Sequence, residues 1–181
     1  RACLQLRQWQ ELGVGIPAVS INVSPLQFRH ADFVSMVRQV LSDTGVDPAC
    51  VDLEITESVL MESSDRSVGV LQDLRDLGVT FSIDDFGTGY SSLSYIKSFP
   101  AQRLKIDRSF VANIEHEAND SVIATAIIAL AHSLGMQVVA EGAETAIQVD
   151  FLRDNECDFA QGYYFSRPLP AKDIEVWVSE L

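Results

Sequence analysis

Apolar and polar residues alternate strictly along Ala18-Val19-Ser20-Ile21-Asn22-Val23-Ser24, the period of a strand with one covered face. The same period marks strands at Val51–Glu57, Thr80–Ile83, Gln102–Asp107, Gln137–Gly142 and Phe159–Phe165. Between them the spacing lengthens to that of helices. Arg1–Leu12 carries Leu4, Trp9 and Leu12, and Asp32–Thr44 carries Phe33, Val37, Val40 and Leu41. Asp65–Leu77 carries Val70, Leu71, Leu74 and Leu77, and Asp120–Leu134 carries Ile123, Ile127, Leu130 and Leu134. A short helix from near Ser91 to before Pro100, then Thr145–Asp154 and Lys172–Leu181, complete the helical set. Gly13, Gly45, Gly78 and Gly135 stop helices, and Asn155 is expected to take the same left-handed capping position. Strand alternating with helix predicts parallel β/α units, an α/β fold of the TIM-like barrel type with about six strands.

In such a barrel the outward strand face packs on helices and the inward face meets the centre. Val19, Ile21 and Val23 then point outward, as do Val51, Leu53 and Ile55, Phe81 and Ile83, and Leu104 and Ile106. The opposite phase holds Ser20, Asn22 and Ser24, then Asp52, Glu54 and Thr56, then Thr80, Ser82 and Asp84, then Arg103, Lys105 and Asp107. In the last two strands the inner phase mixes Val139 with Glu141 and Phe159 with Gln161. Near the strand ends the inward set is therefore Asn22, Glu54, Asp84, Lys105, Glu141 and Gln161, with Asp85 at the loop. Leaving such groups buried and unpaired costs several kcal/mol each. Acids, an amide and a lysine at a barrel mouth suit a metal-dependent hydrolytic site. A network of internal salt bridges around Lys105 is the alternative.

At 181 residues and 47% hydrophobic, the chain can bury one substantial core and is expected to be a single domain, residues 1–181. No apolar run of about 18 residues is present, so no membrane insertion is expected. Arg1 is not a Met, which suggests a piece of a longer chain. Cys3, Cys50 and Cys157 are odd in number and scattered, which fits a reducing cytoplasm better than a disulfide framework. His30, His116 and His132 lie far apart and do not suggest a zinc site or histidine-centred catalysis. A net charge of −13 argues against duplex nucleic acid as a partner. It leaves room for a small anionic ligand if cations offset the local charge.

Six motifs stand out: Asn22-Val23-Ser24, Leu53-Glu54-Ile55-Thr56-Glu57, Asp84-Asp85-Phe86-Gly87-Thr88-Gly89-Tyr90-Ser91-Ser92-Leu93, Leu104-Lys105-Ile106-Asp107, Glu141-Gly142 and Gln161-Gly162-Tyr163. In this order the sequence resembles the EAL domains, which hydrolyse the bacterial messenger cyclic di-GMP. The resemblance implies that Asn22, Glu54 and Asp84 are ligands of one Mg²⁺ or Mn²⁺. Asp85 would bind a second ion or hold the attacking water, and Lys105 would orient or activate that water. Glu141, Gln161 and Asp107 would complete the metal, substrate and water network. Glu57 would hold the Gly87-Thr88-Gly89 loop in its productive shape. The implied reaction is metal-assisted phosphodiester hydrolysis of cyclic di-GMP to linear pGpG.

The family's namesake Glu-x-Leu motif, which lies on its first strand and supplies a metal ligand, does not occur before the helix at Arg1. A closed barrel has eight strands and about 250 residues. The expectation is therefore an N-terminally truncated barrel whose isolated piece is inactive or nearly so. Ala143 stands where many family members carry Val, a change expected to be harmless. The main alternative function is a catalytically inactive cyclic di-GMP receptor. Another is an unrelated metal-dependent barrel such as an aldolase or phosphatase. Asp85-Phe86-Gly87 also occurs in protein kinases, but no Gly-x-Gly-x-x-Gly loop or His-Arg-Asp accompanies it. The resemblance is compatible with a cytoplasmic domain, with a membrane-anchored parent protein, and with a homodimer through helices near the glycine loop.

Overall fold

The computed structural model describes residues 1–57, 59, 65–89, 96, 99–115 and 118–180. The helix expected from Ser91 and the end of the glycine motif, Tyr90 to Leu93, lie outside the described residues, as do His116 and Leu181. In chain order the described elements are α1 (Ala2–Glu11), β1 (Val19–Val23), α2 (Pro25–Phe28), α3 (Phe33–Thr44), β2 (Val51–Thr56), α4 (Asp65–Asp76) and β3 (Thr80–Phe86). They continue as β4 (Arg103–Ile106), α5 (Arg108–Ala112), α6 (Ala118–Ser133), β5 (Gln137–Glu141), α7 (Ala146–Asp154), β6 (Phe159–Gln161) and α8 (Ala171–Ser179). The strand order is β1-β2-β3-β4-β5-β6, and every ladder with a described register is parallel. Parallel strands joined through helices are the β/α repeat of the TIM-like barrel class, with six strands here. Among the described residues no helix is long and apolar enough to cross a membrane.

The chain divides into two compact units. The first comprises residues 1–55, 63–81 and 168–181. In it β1 and β2 pair from Val19↔Val51 to Val23↔Ile55, which aligns Asn22 with Glu54. Helix α1 buries Cys3, Leu6 and Trp9, and the indole N–H of Trp9 donates to Glu175 at 3.1 Å. This differs from the face expected from sequence, since Leu4 and Leu12 are exposed. Ser24 begins α2 through a reciprocal capping box with Gln27, an element the strand alternation concealed. Helix α3 ends at Gly45 in the left-handed conformation, as expected.

The second unit comprises residues 56–62 and 82–167. Its ladders carry Ile83, Leu104, Ile106, Val138 and Ala140 on the outward phase, all fully buried. Burial of each Leu, Ile or Val side chain contributes about 1.5–3 kcal/mol. Helix α6 covers β4 and β5 with Ala124, Ile127, Ile128 and Ala131. The stripe predicted from sequence is shifted from this one, because Ile123 is exposed. A helix apolar on nearly every side gives no phase to read.

Three boundaries also differ. Strand β3 does not close at Asp84-Asp85 but runs on to Phe86. Against β4 it pairs Ile83↔Leu104 and Phe86↔Ile106, so three steps on one strand match two on the other. This is a β-bulge, and it returns Phe86 to the buried outward phase. Strand β6 stops at Gln161, and Tyr163, Tyr164 and Phe165 form turns. Beyond α7 the left-handed residue is Glu156 (φ 62°), whereas Asn155 has φ −93° and instead donates its side-chain amide to the Phe151 carbonyl at 2.8 Å.

Candidate active site

The bulge sets the chemistry of β3. Asp85 adopts φ 55°, a left-handed conformation that Asp tolerates better than most residues. Asp84 is thereby buried while its neighbour Asp85 is exposed. Partial burial pushes the Asp85 carboxyl above its ordinary range, the nearby Asp84 and Asp107 charges add to this, and Lys105 opposes them.

Lys105, near the end of β4, is 5% exposed, and its ammonium lies between two acids. Nζ is 2.6 Å from Glu141 Oε1 and 3.0 Å from Asp84 Oδ1. The first is a short charge-assisted contact. The second is a charge contact off the hydrogen-bonding direction, because the buried Asp84 Oδ1 accepts no hydrogen bond among the described residues. The expected salt-bridge network around Lys105 and the expected catalytic lysine are thus the same group of atoms. One ammonium facing Asp84, Asp85 and Glu141 leaves an excess of negative charge that a divalent cation would offset.

The other expected residues fall into place unevenly. Glu141 aligns with Gln161 across β5 and β6, and Gln161 is exposed at the strand end. Phe159 joins the inner phase as expected, for the Arg103 guanidinium lies over its ring at 5.9 Å. Asp107 begins α5, its Oδ1 accepting from the backbone N–H and the hydroxyl of Ser109 at 2.9 and 2.5 Å, and its charge acts on Asp85. Glu57 Oε2 accepts the Gly87 N–H at 3.2 Å, and a Cβ on Gly89 would stand 2.9 Å from Oε1. Its carboxylate therefore sits directly against Gly87 and Gly89. In the first unit Asn22 is exposed and Glu54 buried, side by side on one strand face.

Asn22, Glu54, Asp84 and Asp85 offer hard oxygen donors, the type that Mg²⁺ and Mn²⁺ prefer. The orphaned Asp84 Oδ1 is the kind of atom a cation would satisfy. Among the described residues no group of three or more His, Cys, Asp or Glu side chains is already gathered as a cage. Within the second unit, Asp84 and Asp85 are donors of the kind a divalent ion takes.

The sequence matches the EAL domain family model over residues 1–168. The chain belongs to the EAL domain family. The EAL chain is 46% identical over 175 residues to the cyclic di-GMP phosphodiesterase NbdA of Pseudomonas aeruginosa, covering 97% of this chain and 22% of that protein. It is 44% identical over 173 residues to the bifunctional diguanylate cyclase/cyclic di-GMP phosphodiesterase MucR of the same organism, covering 96% of this chain and 25% of MucR. It thus spans about a quarter of these relatives. The structure of the MucR phosphodiesterase in complex with c-di-GMP superposes with a TM-score of 0.92 at 44% identity, over 96% of this chain and 70% of that one. The manganese and cyclic di-GMP complex of Klebsiella pneumoniae BlrP1 superposes with a TM-score of 0.79 at 32% identity, over 90% of this chain and 42% of that one. The EAL chain therefore shares its fold with proteins whose structures hold the dinucleotide, in one case with a divalent metal.

Proposed function

We propose that this EAL domain hydrolyses cyclic di-GMP to linear pGpG with Mg²⁺ or Mn²⁺ as cofactor. The observation that carries the reading is the buried Lys105 ammonium held between Glu141 and the under-satisfied Asp84. Asp84 and Asp85 would supply oxygen ligands; Asn22 and Glu54 keep the ligand role that the family resemblance gives them. When bound, the metal ions neutralise phosphate charge and lower the pKa of water. Lys105 donates to the attacking water and keeps it aimed at phosphorus. Glu141 holds that ammonium in place, and Gln161 at the neighbouring strand end donates its amide to the same water network or to the phosphate. Glu57 keeps the glycine loop against β3. One P–O bond forms as the water gives up a proton to the solvent, one phosphodiester P–O bond breaks, and the departing ribose oxygen takes up a proton, so that the elements of water are added across the bond.

The test is to incubate the full-length protein that carries this domain with cyclic di-GMP and either metal, follow the products by chromatography, and repeat with EDTA, with residues 1–181 alone as the control expected to be inactive or nearly so. Metal-dependent appearance of pGpG is expected. Tight binding of cyclic di-GMP with no turnover in either metal would replace this reading with a receptor.

A further inference from the structure

Gln148 is a buried polar side chain in the first turn of α7, and the motifs that mark the site do not include it. Its Oε1 accepts the backbone N–H of Glu144 at 2.6 Å and of Thr145 at 3.1 Å. Its own N–H donates to the Thr145 hydroxyl at 3.2 Å. These bonds alone form a helix capping box. The bond from Nε2 to the carbonyl of Ala112 at 3.1 Å goes beyond capping, because Ala112 ends α5, a separate element. With two N–H groups on one side and a carbonyl on the other, only one amide orientation is satisfied.

The place of this bridge gives it a meaning. Helix α5 follows directly from β4, which carries Lys105, and the loop 142–145 follows directly from Glu141. The β4–β5 ladder ends at Ile106↔Ala140, so Glu141 lies one residue past the last pairing with β4. Gln148 is one of two side chains that tie the strand ends together beyond that point; the other is Thr145, whose hydroxyl donates to Glu115 just after α5. The same loop is pinned on its other side, where Ala143 N–H donates to the Gln161 carbonyl at 3.1 Å and Tyr164 N–H to the Ala143 carbonyl at 3.0 Å. Against α5 the fit is close: Gly142 has φ 75°, and a Cβ there would meet Arg108 Cβ at 2.7 Å.

We propose that Gln148 is a positioning residue for the reaction, bridging the chain after Glu141 to the chain after Lys105 and so setting the Glu141–Lys105 contact. The catalytic part rests on the phosphodiesterase reading; the geometric part does not. Two variants separate bridge from cap. Gln148→Glu keeps both acceptor bonds and the cap but, ionised, cannot donate to Ala112. Thr145→Ala removes the capping hydroxyl together with its own bond to Glu115 and leaves the Gln148–Ala112 bridge. Gln148→Met, uncharged and of similar length, guards against a folding failure of the glutamate variant.

The first readout is hydrogen exchange of the Lys105 ammonium by NMR, which needs no turnover. The glutamate and methionine variants are expected to exchange at least about tenfold faster than wild type, and Thr145→Ala within about twofold of it. The second readout is steady-state hydrolysis of cyclic di-GMP, where the bridge variants are expected to lose about ten- to a hundredfold in kcat with KM little changed, a cost typical of small misplacements. Thr145→Ala should lower Tm but spare kcat. Full-length wild-type protein with no turnover sinks the phosphodiesterase reading and leaves the exchange readout to decide. Ammonium exchange unchanged in the bridge variants, or equally accelerated in Thr145→Ala, overturns the proposal.

Discussion

Asp52 and Asp84 are both buried aspartates on the inward strand phase, and they are treated in opposite ways. Asp52, in the first unit, is 1% exposed and accepts the Ser20 hydroxyl at 3.2 Å and the Thr80 hydroxyl at 2.9 Å. Asp84, in the second, has an oxygen with no hydrogen bond among the described residues and relies on a charge contact with Lys105. Neutral donors that complete a buried carboxylate produce structure. A carboxylate held by charge in a bulge, with an oxygen left over, is available to something else. Two residues of one type and one phase are thus told apart by what surrounds them.

The largest effect expected from this contrast is on turnover. Asp84→Asn should reduce hydrolysis of cyclic di-GMP by about a thousandfold or more, if it supplies a metal ligand, while Tm stays near wild type because an under-satisfied buried charge is removed. A variant with Tm lowered like that of a core residue and turnover intact would erase the distinction. Next comes Glu57→Ala, which frees the glycine loop. It should lower kcat by about ten- to a hundredfold, the range for lost positioning, measured in the same assay. Asp52→Ala then tests the other side. It removes the shared acceptor of the Ser20 and Thr80 hydroxyls, though Thr80 keeps the Val51 carbonyl at 3.3 Å, and should cost about 0.5–1.5 kcal/mol in denaturant unfolding, with kcat unchanged.

The phase of the strands was legible because Val19, Ile21 and Val23, or Leu104 and Ile106, leave no ambiguity about which face is covered. The residues grouped by that phase, Lys105 with Asp84 and Glu141, or Asn22 with Glu54, do share faces. What escaped was anything set by a single extra residue. The bulge at Asp85 has no period of its own, since one inserted residue looks like the end of a strand. The cap that Asp107 gives α5 was present in Asp107-Arg108-Ser109, but the strand phase marked Asp107 as an inward residue. Gln148 could have been found from Thr145-x-x-Gln148, but its bond to Ala112 is long-range and left no local trace. The face of α6 was unreadable for the reason that Ile123, Ile127, Ile128 and Leu130 are all apolar.

The smallest effect concerns Asp158, away from the site. Burial works against its charged form, but hydrogen bonds from His132 at 3.0 Å and from Val138 N–H at 2.8 Å, with the His132 charge, hold its carboxyl below the usual range. A depressed folded pKa stabilises the protein fully above the unfolded value near 4 and loses that contribution as pH falls through the folded pKa. Solvent screening keeps the contribution to no more than about 1 kcal/mol. Asp158→Asn should therefore flatten the acid side of the Tm profile below about pH 4, and change little at pH 7 beyond this small offset.

The central claim is that the Lys105 ammonium, held between Asp84 and Glu141, acts on the reaction and is not a structural counter-ion. The direct measurement is turnover and binding of cyclic di-GMP by Lys105→Met in saturating Mn²⁺. The account predicts a kcat reduced by at least about a hundredfold, in the range for a lost proton-handling group, with dinucleotide affinity within a few fold of wild type. A Lys105→Met protein that unfolds more easily yet turns over at the wild-type rate would contradict it.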